Sequence, residues 1–129
     1  MSSHANAAEA YLSNSVENAP PIKIVRMLYQ GALRFLMQAE AESASDPRSR
    51  FLEHCSSADA IVAELRLALD KERGSADVVD SLTQLYLFCE SELQQCMIER
   101  TAEPIPGVRR VLKTLLEAWD HVEVQSSGR

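Results

Sequence analysis

Three histidines, His4, His54 and His121, and three cysteines, Cys55, Cys89 and Cys96, are the side chains best suited to hold a metal or act as nucleophiles. Their spacing serves neither role. A di-iron helical bundle needs Glu-x-x-His, because residues three apart project inward together, and that pattern is absent. There is no C-x-x-C-H haem attachment and no glycine loop to cradle phosphate. Cys89 and Cys96 stand one heptad apart on one helical face, where they read as small buried hydrophobes. His54 lies in LEHCSSAD, without the Lys and Gly that phosphorelay bundles place after their histidine, and reads as a solvated helix residue. No Asp or Glu pair sits beside an apolar pocket as an acid/base couple would. These residues predict no catalytic group, no metal ligand and no cofactor, so the chain is read as a non-enzyme.

The elements around these residues are helices. The 129 residues suit one domain that buries a sizeable core without disulfides or metal. Glycine numbers only 4, which disfavours a turn-rich β fold. Val25, Leu28, Ala32, Phe35 and Ala39 alternate spacings of three and four and predict the first helix, opening at Pro21. Asp46 is expected to cap the second helix and Pro47 to open it, with Phe51, Cys55, Ala58, Val62, Leu65 and Leu69 as its seam. Gly74 and Ser75 separate it from a third helix carrying Val79, Leu82, Tyr86, Cys89, Leu93 and Cys96. TAEPIPG precedes a fourth, with Val108, Leu112, Leu115, Trp119 and Val122. Four such helices with short links predict an all-α, up-down antiparallel bundle over residues 20–124. Residues 1–19 are expected to form an N-terminal tail and 125–129 a disordered end.

Charge narrows the partners. The net charge of −6, with 13 scattered basic residues, disfavours nucleic acid and anionic membrane. The N-terminus lacks the basic start and apolar core of a secretory signal, and no apolar run would insert in a membrane. An odd count of 3 cysteines without C-x-x-C fits a reducing, cytoplasmic compartment.

The apolar stripes are wider than a bundle core requires. Ile22, Ile24, Met27, Tyr29, Leu33, Leu36 and Met37 are surplus on the first helix, Leu52, Ile61 and Leu67 on the second, and Leu85, Leu87 and Phe88 on the third. Leu67 stands about 200° from Leu65 around its helix, and Leu87 about 140° from Leu82. A second apolar surface, waiting for a partner helix, accounts for the set.

YLSNSVENAPPIKIVRMLYQGALRFLMQAE now has a setting. It resembles the flagellar export chaperone FliS family, cytoplasmic chaperones of flagellin, whose first helix runs through Leu-Val-x-Met-Leu-Tyr, Gly-Ala and Phe-Leu. Here the matching residues are Ile24 to Tyr29, Gly31-Ala32 and Phe35-Leu36. IVAELRLALDKERG, SLTQLYLFCESEL and VRRVLKTLLEAW are similar to that family's later segments, in order. Pro20 departs from its usual Ser, removing a cap worth ~1 kcal/mol. Leu87 stands where a polar or acidic residue is common, and Cys96-Met97 replaces Ala-Asn.

The resemblance implies binding of flagellin's disordered C-terminal segment before secretion, preventing premature polymerisation, and contact with an export-gate protein. Ile61, Leu65, Leu82, Leu85, Tyr86 and Leu93 are expected to line a client groove shared by the second and third helices. Tyr11, Leu12 and Val16 are expected to fold a lid over it. The free chain is expected to be a monomer or weak dimer. A histidine phosphotransfer domain using His54 and a bundle that dimerises through Leu67 and Leu87 are the alternatives.

Overall fold

Each apolar stripe must find another before it leaves water, and four helices of this kind close a ring. The computed structural model describes residues 22–69 and 76–127. It contains α1 (Ile22–Glu40), α2 (Phe51–Leu67), α3 (Ala76–Glu99) and α4 (Ile105–Ser127). Sequence neighbours pack together and α1 meets α4, whereas the diagonal backbones stay apart. Cross-helix ties fix the directions. Arg26 pairs with Asp120 and Glu40 with Arg109, so α1 and α4 run antiparallel. Arg66 with Glu90, and Asp59 with Gln94, do the same for α2 and α3. The result is the up-down antiparallel four-helix bundle expected. Pro20 and Pro21, the Gly74–Ser75 break and the lid residues Tyr11, Leu12 and Val16 lie outside the described residues, as does the side chain of Val122.

Most of the expected core is buried. The six positions expected in α3 are all buried, as are Phe51 through Leu65 in α2 and Val108, Leu112, Leu115 and Trp119 in α4. In α1 the seam is rotated. Tyr29 and Leu36 are fully buried where Leu28 and Phe35 were expected, and those two are only partly buried against the core. The cause is polar as well as apolar. The Tyr29 hydroxyl hydrogen-bonds the Tyr86 hydroxyl across the bundle diagonal. The Tyr29 ring also lies 6.3 Å from that of Trp119. A buried hydroxyl without partners costs roughly 1–3 kcal/mol, so Tyr29 turns inward only with such partners.

Two boundaries differ from expectation. Asp46 does not cap α2, and Pro47 does not open it. Asp46 Oδ1 accepts from the Arg48 N–H at 2.9 Å, and its carbonyl accepts from the Ser49 N–H at 3.0 Å. These bonds close a local turn, an alternative that Asp offers the backbone in competition with helix. The Ser49 hydroxyl donates to the Ser43 carbonyl and accepts from the Phe51 N–H, delivering the chain to a helix that starts at Phe51. At its other end α4 continues to Ser127, past the expected boundary at residue 124.

Candidate client-binding surface

The groups with reactive potential are held inert. His54 is only 7% exposed, which overturns the expectation of a solvated residue. Its ring stacks on Phe35 at 6.2 Å, and its Nδ1 has no hydrogen-bond partner among the described residues. A phosphotransfer histidine must meet a donor domain in solvent, so this burial removes the His54 alternative. Cys55, Cys89 and Cys96 are free and fully buried. Burial pushes the Cys55 and Cys89 thiols up to about 12 and the Cys96 thiol up to about 11. Thiolate, the nucleophilic form, is thereby suppressed. Among the described residues no cluster of three or more His, Cys, Asp or Glu could hold a metal ion, and no helix is long and apolar enough to cross a membrane.

The expected groove residues do not share one surface. Leu65, Leu82, Tyr86 and Leu93 are packed into the core, at most 6% exposed. The Leu-Tyr of α3 therefore supplies an interior tyrosine in this closed bundle. Ile61 and Leu85 are partly buried, on separate flanks. Ile61 faces α1, where its Cδ1 lies 3.4 Å from the point a side chain on Gly31 would occupy. Leu85 stands about 140° around α3 from Glu90, turned away from α2.

What α2 and α3 do expose lies on the outer side of their contact. Arg66 donates twice to the Glu90 carboxylate, at 2.6 and 3.0 Å, and fixes the relative level of the two helices. Burial, and next the charge of Glu90, hold the Asp59 carboxyl above the usual carboxylate range. Leu67 follows Arg66 directly, and Leu87 precedes Glu90 by less than one turn. They are 74% and 42% exposed. Ile98 continues the strip about three turns beyond Leu87 along α3, with Ala60 and Ser91 exposed alongside. Small neighbours leave such a strip shallow, and an extended or helical apolar segment can approach it closely. Outward placement of Leu67 and Leu87 follows from the 100° helical step, and the sequence already showed it.

A second exposed apolar set, Ile24, Met27 and Met37, lies on α1. Beside Met37, α4 presents Arg109, Arg110 and Lys113, a cluster among basic residues expected to be scattered. The spacing of Arg109 to Lys113, four residues on one helix, was the signal available for that cluster.

Comparison with known proteins bears on these surfaces. Residues 4–126 match the family described as Flagellar protein FliS. The Flagellar secretion chaperone FliS of Campylobacter jejuni is 33% identical over 116 residues, covering 90% of this chain and 90% of the relative. That of Vibrio cholerae is 30% identical over 118 residues, covering 88% and 86%. That of Salmonella typhimurium is 28% identical over 128 residues, covering 95% and 94%. With its helical ring, its inert interior and a match running through nearly every residue, the chain belongs to the FliS family, a chaperone family and not an enzyme family.

Proposed function

We propose that the chain is a flagellar export chaperone that binds the disordered C-terminal segment of flagellin. In this role it keeps flagellin from polymerising early, in the cytoplasm, and hands it to the type III export apparatus through an export-gate protein. The match to the FliS family over residues 4–126, shared with relatives named flagellar secretion chaperones, carries the reading. The surface chemistry supports it. A disordered segment loses conformational freedom when bound, at roughly 1–2 kcal/mol per ordered backbone residue, so it needs a long apolar strip in compensation. Leu67, Leu87 and Ile98 supply exposed apolar anchors on the outer α2–α3 side. Leu65, Leu82, Tyr86 and Leu93 support that side from beneath, and Ile61 and Leu85 border it. Residues 1–18 act as a lid whose Tyr11, Leu12 and Val16 compete with the client.

Filament growth of the host's own flagellin tests the reading. Equimolar chaperone is expected to suppress polymerisation, and Leu67→Asp/Leu87→Asp to relieve that suppression while keeping its helical signal. Deleting residues 1–15 is expected to tighten client binding. Unhindered filament growth with the folded wild-type chain would overturn the proposal, and unchanged affinity after the deletion would discard the lid.

A further inference from the structure

We propose that the groove between α1 and α4 is a second docking site, for an acidic amphipathic helical segment of a partner protein. It lies on the opposite side of the ring from the α2–α3 strip, so both can be filled together, and it does not depend on that strip being the client surface.

The groove is a trough of about 480 Å³ with an apolar floor. Leu33 and Leu116 are half-buried in it, and Met37 is 58% exposed. A second depression of about 430 Å³ shares Leu33 and Met37 and carries the trough onto the outer face of α1, past Arg34. Such an elongated, open shape suits a helix laid along it better than a compact small molecule. A helix presents apolar side chains at spacings of three and four, matching a floor built from residues one turn apart on α1. Methionine, unbranched and polarizable, adapts its shape to such a guest.

Charge decides which helix fits. The chain carries −6 overall, yet among the described residues no acidic one lines either depression. Arg109, Arg110 and Lys113 form the rim on α4, and Arg34 lines the adjoining depression on α1. Glu40 holds the Arg109 guanidinium at 2.8 Å and neutralises part of the rim. Arg110 and Lys113 are exposed and have no charged partner among the described residues. Two unpaired cations over an apolar floor, on a molecule that otherwise repels acids, complement Glu or Asp flanking an apolar stripe. Such complementarity speeds encounter and rejects basic or neutral competitors.

The test uses the full chain and fluorescein-labelled helical peptides of one design, with Leu at positions i, i+4 and i+7. The remaining positions carry Glu, Gln or Lys in three versions. Anisotropy is expected to show the Glu peptide binding at least tenfold tighter than the Gln peptide, with the Lys peptide weakest. Arg110→Glu/Lys113→Glu is expected to weaken the Glu peptide at least tenfold. Leu67→Asp/Leu87→Asp should leave it unchanged even if flagellin binding is lost, which separates this site from the proposed client strip. Methyl NMR is expected to place the largest shift at Met37. Equal binding of the Glu and Gln peptides, no effect of the α4 charge reversal, or loss with the α2–α3 variant would each overturn the proposal. So would stronger, Arg110- and Lys113-dependent binding to phosphatidylcholine vesicles containing phosphatidylglycerol, since the surface would then read lipid.

Discussion

Tyr29, Tyr86 and Trp119 come from three different helices and meet through a hydroxyl pair and ring contacts, deep in the interior. Tyr29→Phe keeps the ring but strips the Tyr86 hydroxyl of its partner. Denaturation followed by the fluorescence of the single Trp is expected to show a loss of about 1–3 kcal/mol. Tyr29→Phe/Tyr86→Phe is expected to lose less than the sum of the single changes, because both singles break the same bond. The cysteines give a pH dependence. Folded, the thiols stay protonated up to about 11–12, whereas in the unfolded chain they ionise near 9.0. Their contribution is complete below pH 9 and is lost as pH rises toward the folded values. Stability is therefore expected to fall from pH 9 upward, and to fall less steeply in Cys55→Ala/Cys89→Ala/Cys96→Ala, measured by urea melts across that range. Burial of the cysteines was legible from their heptad spacing. Inward placement of Tyr29 was not, because it depends on Tyr86 and Trp119, far away in sequence and diagonal or adjacent only after folding.

At the scale of elements, helix ends departed from the sequence reading while helix number and order did not. α3 ends with Arg100 at φ 49°, in the left-handed region, and the Thr101 N–H donates back to the Cys96 carbonyl at 3.1 Å. This is a Schellman-type closure, usually built on glycine. A side chain in that conformation costs roughly 1–2 kcal/mol, and glycine returns part of the saving as unfolded-state freedom. Arg100→Gly is therefore expected to stabilise the chain by about 0.5–1 kcal/mol in urea melts, and a destabilised variant would contradict the closure. Gly31 marks a different constraint. A methyl there meets Ile61 Cδ1 at 3.4 Å, an ordinary contact, but anything longer enters α2. Gly31→Leu is expected to lower stability by about 1–3 kcal/mol through overpacking, with Gly31→Ala near neutral. Neither feature was legible: Arg100 carries no turn signature, and the glycine's neighbour belongs to another helix. The α2 start was misread because Asp-Pro satisfies the rules for a helix cap and for a turn equally well, and the bonds of Ser49 to Ser43 and Phe51 decide between them.

At the scale of the whole molecule, the described residues form a closed ring with an inert interior and exposed apolar residues on unlike outer faces. On the α2–α3 side Leu67 and Leu87 are exposed beside the Arg66–Glu90 tie, and on the α1–α4 side apolar and cationic residues share a trough. Surplus leucines made the first face legible by simple counting. The burial of Leu82, Tyr86 and Leu93 in this closed bundle was harder to separate from a surface role, since they satisfy the core seam and the family likeness at once. The second face joins positions from both ends of the chain, which no local pattern reveals. Calorimetry of the full chain against a peptide from the C-terminus of the host's own flagellin tests the central claim most directly. The account predicts one peptide per chain, a negative heat-capacity change from apolar burial, and loss of the signal in Leu67→Asp/Leu87→Asp. No binding by the folded wild-type chain would contradict it.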